Sequence, residues 1–188
     1  MTRIGVLAED SSDVDVVKEL IRKFKSPNSF CIRHFAADGC GKLRNKCRAW
    51  ANQLHLKGCS VLLLIHDLDR RNLAGLRKDL VSALNPCPIA THTIVIPIEE
   101  IEAWLMSDGN ALKRAFSLKK APNLSGNPEY IVSPKEKLES LVWRLSGKSK
   151  RYINTVHNAV IAKHVTVSNL RRCAAFHEFE RFVRQEVK

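Results

Sequence analysis

The sequence holds little that would anchor it to a membrane, cross-link it or let it stack on bases. No apolar run approaches the ~20 residues that a membrane-spanning helix needs, so no membrane association is expected. The first ten residues, MTRIGVLAED, turn acidic after one short apolar run, which is the wrong pattern for a signal peptide. The expected location is the cytoplasm. Of the six cysteines none forms a CxxC pair, so a zinc tetrahedron lacks clustered ligands and reduced, partly buried thiols are expected. Aromatic residues make up only 6%, which leaves a base-stacking platform poorly supplied. Acids are scarce too: 31 Lys and Arg face 19 Asp and Glu, a formal charge of +12. A field of that sign attracts polyanions, of which DNA and RNA backbones are the commonest in a cell. The plainer alternative is that solvated lysines keep the protein soluble.

What is present reads as one globular domain. At 188 residues, with 45% hydrophobic and 27% charged content, the chain can bury a sizeable core, alone or with a small appendage. Arg3–Ala8 has strand character, and the helix after it, capped by Ser12 or Asp13, repeats Val14, Val17, Leu20, Ile21 and Phe24 at helical spacing. Phe30–Ala36 reads as a second strand, Asp38–Gly41 as a turn, and Lys42–Leu56 as a basic helix. Val61–Ile65 is apolar without alternation, the mark of a strand buried on both faces in a parallel sheet. Leu73–Leu84 reads as a helix and Thr93–Pro97 as a fourth strand. The order predicts an α/β fold: an open, mainly parallel four-stranded sheet flanked by helices. Beyond Glu99 the strand signal ends. Helices are expected at Glu99–Asp108, Ala111–Phe116, from a Ser133-Pro134-Lys135-Glu136 start, at Asn154–His164 and at Ser168–Glu186. The expected division is an α/β domain over 1–116 and a C-terminal helical extension over 117–188 packed on it.

The acids fall at telling places. Open parallel sheets bind ligands beyond the carboxyl ends of their strands. Glu9 and Asp10 end the first strand, and Asp67 and Asp69 end the third. Carboxylates crowded at one edge repel unless a cation sits among them, and a hard divalent ion, Mg²⁺ or Mn²⁺, suits oxygen ligands. In an extended segment Asp67 and Asp69 would point the same way and share one ion or bracket two. The other reading is of solvated loop acids. Glu102 falls at the border of an apolar helix face made by Ile98, Ile101 and Leu105, with Glu100 nearly opposite. A carboxylate there needs either a metal or a basic partner. Glu99 fits the first turn of the same helix. His66, beside the D-x-D, reads as a packed histidine or as a base.

The runs IGVLAEDSSDVDVVKELI and VLLLIHDLD resemble the Toprim signature, a glutamate after strand one and a D-x-D after strand three. Ile98–Leu105, and Ile161–His164 with Leu170–Cys173, Phe176 and Phe179, are similar to a small Toprim-like family of bacterial proteins of unknown function. The resemblance implies a Toprim fold and Mg²⁺-dependent nucleic-acid hydrolysis, with Glu9 in acid/base or metal-binding work and Asp67 and Asp69 as metal ligands. It also implies an AAA or ABC-type ATPase partner and a part in antiphage defence. One departure stands out: Asp10 occupies the place where Toprim glutamates are commonly followed by glycine.

If the site is catalytic, Glu9, Asp67 and Asp69, with Glu102, would hold metal that polarises a phosphate and activates water. Lys42, after Gly39-x-Gly41, and Lys148, Lys150, Arg151 and Lys163 are the candidate backbone-binding cations, each with a solvated surface role as its alternative. Two rivals remain. One is a non-catalytic Toprim-like regulatory subunit of an ATPase. The other is a receiver-like phosphoacceptor, with Glu9-Asp10 and Asp67, which also needs a fifth strand that the sequence does not supply.

Overall fold

The computed structural model describes residues 1–37 and 40–188. Four parallel strands, β1 (Thr2–Ala8), β2 (Phe30–Ala36), β3 (Val61–Ile65) and β4 (Thr91–Val95), form one sheet in the order β2-β1-β3-β4. Register runs Ile4↔Ile32 between β1 and β2, Ile4↔Val61 between β1 and β3, and Val61↔Thr91 between β3 and β4. The protein is thus an α/β fold with an all-parallel sheet, helices on both faces and a C-terminal helical part. Among the described residues there is no fifth strand, which the receiver-like alternative needs. Nor is any helix long and apolar enough to cross a membrane.

The period-two alternation of side chains sorts the inner strands into two cores. On one face Ile4, Val6, Ala8, Leu63, Ile65 and Val95 pack with Val14, Val17 and Leu20 of α1 (Ser11–Ile21). The C-terminal helices complete this same core through Trp104, Phe176 and Phe179, with Trp104 and Phe176 edge-to-face at 5.4 Å. On the other face Leu7, Leu62, Leu64 and Ile94 meet α2 (Cys40–Leu56) and α3 (Leu73–Leu84) through Leu43, Cys47, Leu54, Leu76 and Leu80. β3 is buried along its whole length, as its unbroken apolar run requires. Gly5 lets α2 approach: a Cβ there would stand 3.0 Å from Leu54 Cδ1 and 3.1 Å from Leu62 Cδ1.

The remaining helices are α4 (Glu102–Leu105), α5 (Gly109–Phe116), α6 (Pro134–Leu145), α7 (Asn154–His164), α8 (Val167–Leu170) and α9 (Ala174–Glu186). Buried acids staple them by capping. Asp108 accepts from Asn110 and Ala111 N–H of α5 and from Thr166 N–H and Oγ1. Burial raises its carboxyl, but the Asn169 side chain first, then Thr166 and Ala111, hold it below the ordinary range. Glu129 accepts from Ala174 N–H at 2.7 Å and Ala175 N–H at 3.0 Å, fixing the start of α9.

Several expectations are corrected. The cap of α1 is Asp10 rather than Ser12 or Asp13: its carboxylate accepts from Ser12 N–H at 2.7 Å, while Asp13 accepts from Asp10 N–H at 3.1 Å. Ser133 does not cap α6, because its φ of 49° aims it elsewhere and its hydroxyl accepts from Arg70. The helix expected over Glu99–Asp108 shrinks to α4, because Glu99 has a left-handed φ of 60°. The last helix is split at Cys173, which has an extended backbone, into α8 and α9. Of the expected Asp38–Gly41 turn, Asp38 and Gly39 lie outside the described residues.

Candidate functional site: an acidic cleft at the strand ends

Beyond the carboxyl ends of β1 and β3 lies a cleft of about 190 Å³ lined by Glu9, Asp10, Ser12, Asp13, Asp67, Glu100, Glu102, Lys135 and Asn154. Six of those nine side chains are carboxylic acids, and Lys135 is the one cation among them. They arrive from β1–α1, the end of β3, the approach to α4, and the first turns of α6 and α7. The parallel sheet does this by delivering every strand end to one rim.

Glu9 follows the last residue of β1, and its side chain is 14% exposed. Its Oε1 lies 2.5 Å from Nδ1 of the buried His66, yet among the described residues it accepts no hydrogen bond. Nδ1 lies 2.7 Å from the Asp67 carbonyl, and an N–H directed there leaves the glutamate oxygen close but poorly aligned. His66 Nε2 is buried and has no partner among the described residues. His66 is therefore packed beneath Glu9 and sets its position. Asp10 has an extended backbone (φ −133°), so this position does not require glycine.

Asp67 accepts the Ile101 N–H through Oδ1 at 3.0 Å, which ties the end of β3 to the start of α4. Burial pushes its carboxyl well above the usual range, and Asp13, Glu102, Glu9 and Asp69 push it the same way. Asp13 is raised to about 8, first by burial and next by Glu102. Glu102 is 4% exposed. Its Oε1 lies 2.9 Å from Tyr152 Oη and accepts from Asn158 Nδ2 at 3.1 Å. Among the described residues no basic side chain pairs with it, which corrects that alternative; the neutral donors Tyr152 and Asn158 hold it. Burial, with Glu102 next, also moves the Tyr152 phenol upward. Glu100 lines the same cleft as Glu102 rather than the opposite side, since no helix yet separates them, and its Oε2 accepts from Lys135 N–H at 2.8 Å. It thereby supplies the cap on α6 that Ser133 does not.

Tyr152→Phe tests that holding network. Removing the phenol is expected to cost about 1 kcal/mol, or roughly 2–4 °C in Tm, by leaving Glu102 with one donor. Differential scanning calorimetry of the purified variant checks it.

Asp69 does not join Asp67 in the cleft. Backbone pairing with the chain after β4 continues through Leu68 N–H to Pro97 O and Asp69 N–H to Glu99 O, but Asp69 and Arg70 take left-handed φ values of 49° and 61°. The extended geometry that would align the two aspartates is broken there. Asp69 is exposed and faces Glu9, His66, Arg71 and Glu99; partial burial first, then Glu9, raises its carboxyl. Of the metal set expected from sequence, Glu9, Asp67 and Glu102 thus share the cleft. Among the described residues no three His, Cys, Asp or Glu side chains form a closed ligand cluster.

The expected backbone-binding cations are dispersed. Lys42 is exposed in the first turn of α2. Lys150 donates to Phe116 O at 2.5 Å, Arg151 lies 5.6 Å from the Trp143 ring centroid, and Lys148 is exposed beyond the far end of α6 from Lys135. Lys163 is exposed in the last turn of α7. Sequence reasoning missed Asp13, Lys135, Asn154, Tyr152 and Asn158. Only Asp13 had a readable signal, the D-x-x-D spacing of a capping box.

Fold and site together define an open, all-parallel α/β protein with an acidic cleft at the carboxyl ends of its two central strands. The chain belongs to the family described as domain of unknown function DUF4276, which matches residues 8–184. No curated protein and no solved structure matches it.

Proposed function

We propose that the cleft binds a hard divalent cation, Mg²⁺ or Mn²⁺, on Asp67, Glu9 and Glu102, and that the protein hydrolyses phosphodiester bonds of DNA or RNA. The observation that supports this most is the crowding of six acids against one lysine on a chain of net charge +12. Carboxylates raised by burial and by one another gain most from a counter-ion that ionises them. The donor set is all oxygen, and the buried Glu9 Oε1 has no donor among the described residues, so the residues present suit such an ion.

When bound, the ion would supply Lewis acidity toward a phosphate oxygen and lower the pKa of its water. The chain's own part is separable from that. Lys135 places a positive charge at the mouth of the cleft to meet a phosphate oxygen. Tyr152 and Asn158 keep Glu102 turned toward the cleft, and His66 keeps Glu9 there. Asp13 holds or releases a proton near neutral pH, four residues from Glu9. The Toprim resemblance carries the same reading, and with it the proposal of an AAA or ABC-type ATPase partner in antiphage defence.

Titration calorimetry with Mn²⁺ and Mg²⁺, followed by incubation with supercoiled plasmid and with structured RNA, tests it. Saturable binding with cleavage that stops in EDTA is expected. Binding without cleavage, alone and with an ATPase partner, would favour a regulatory subunit instead. No binding at all overturns the proposal.

A further inference from the structure

Between Glu19 and Asp67 the sequence has nine Lys and Arg against a single acid, Asp38. Much of this charge lies on the seam between α2 and the edge strand β2. Arg33, Lys42, Lys46 and Lys57 are all exposed there, and among the described residues none is paired with a carboxylate. The seam has a defined floor. Phe35 of β2 and Trp50 of α2 stack with ring centroids 5.3 Å apart and planes 10° from parallel. Each ring carries an ammonium: Lys57 Nζ lies 4.9 Å from the Phe35 centroid and Lys46 Nζ lies 5.7 Å from that of Trp50. The rings thus fix where two of the charges stand.

Helix stability does not account for these cations. Lys42 and Lys46 fall in the first half of α2, where the macrodipole disfavours positive charge, and the first turn holds no acid. Arg44 and Arg48 on the other flank differ, since they reach Asp79 and Asn85 of the α3 side. The seam also has a direction. α2 starts just after β2 ends, at the sheet rim that carries the acidic cleft, and from Lys42 to Lys57 it covers about 22 Å. A duplex strand carries a phosphate about every 3.4 Å, so that length spans about six phosphates.

We propose that the α2–β2 seam, through Arg33, Lys42, Lys46 and Lys57, is a track for the phosphodiester backbone of a nucleic acid, leading to the rim where the cleft opens. It deepens the nuclease reading by naming how the polyanion is held, and its test does not depend on cleavage. Few aromatics face outward and both rings of the floor are occupied by lysines, so the track would read charge spacing rather than base identity.

The experiment measures binding of fluorescein-labelled duplex and single-stranded DNA to the full chain in EDTA, where metal-dependent cleavage cannot occur. The salt dependence is taken between about 50 and 200 mM NaCl. The variant is Lys42→Glu/Lys46→Glu/Lys57→Glu, with Lys42→Gln/Lys46→Gln/Lys57→Gln as a milder form. The control, Lys119→Glu/Lys120→Glu/Lys188→Glu, makes the same change in net charge elsewhere. Expected are at least a tenfold (~10×) loss of affinity and a fall of about 2–3 in the slope of log K against log salt for the seam variants, with the control close to wild type. Equal losses in seam and control variants, or none in either seam variant while circular dichroism shows them folded, overturn the track. So does equally tight binding of wild type to phosphatidylserine vesicles. A protein that shows the seam effect but never cleaves keeps the track and loses the nuclease.

Discussion

If the cleft is the proposed cation-dependent nuclease site, Asp67→Asn is expected to lower cleavage at least about 100-fold while leaving the fold intact or more stable. The amide can still accept the Ile101 N–H that Asp67 Oδ1 now takes at 3.0 Å, so the tie between β3 and α4 survives. What is lost is a negative charge that burial and four neighbouring acids already resist. In the absence of metal the variant should therefore melt no lower than wild type. In its presence, losing one anionic ligand should lower cleavage at least about 100-fold, equivalent to about 2.7 kcal/mol of transition-state stabilisation. Asp67→Ala makes the useful contrast, since it also orphans the Ile101 N–H and should cost about 1–3 kcal/mol of stability. Plasmid-nicking rates measured beside thermal melts separate the two effects. Full activity in a folded Asp67→Asn protein would remove Asp67 from the site.

Most of the sheet was legible because its physics is local. The unbroken apolar run of Val61–Ile65 dictates a strand buried on both faces, and its bounds match the structure residue for residue. The same holds for β2, α3 and α7, whose limits are set by turn residues and helical periodicity. The site was legible only as far as the sheet rule reaches. Strand ends place Glu9 and Asp67 at one rim, but no rule of spacing shows that Asp69 turns away on a left-handed φ. Nor does it show that Glu99 delays the helix, so that Glu100 and Glu102 come to one cleft. Lys135 and Asn154 enter from helices far along the chain, positioned by packing of α6 and α7 that leaves no local trace in their own residues. The aromatic pair under the seam was likewise invisible, since Phe35 and Trp50 are 15 residues apart and meet only because α2 returns along β2.

The pH dependence of stability follows from Asp13. Its folded-state carboxyl stands at about 8 against an ordinary value of 3.8, raised chiefly by burial and then by Glu102. Between those two values the folded chain holds a proton that the unfolded chain has released. Stability must then fall as pH rises through that window, because the slope follows the excess of protons bound by the unfolded over the folded state, here negative. Asp67 and Glu100, also raised, act in the same direction. The loss of net positive charge over the same range acts oppositely on the whole molecule, so the informative quantity is a difference between two proteins. Asp13→Asn cannot ionise, yet its amide oxygen can still accept the Asp10 N–H that completes the capping box. It should exceed wild type in stability by up to about 5 kcal/mol at pH 8, roughly 10–20 °C in Tm, with the gap closing toward pH 4. Adding Mg²⁺ or Mn²⁺ sharpens the test, because an ion that prefers ionised carboxylates stabilises wild type most where they repel most. At about 100 times its Kd it should return about 2.7 kcal/mol at pH 8 and little near pH 5. Parallel melting curves for the two proteins would refute this if they stay a constant distance apart from pH 4 to 8.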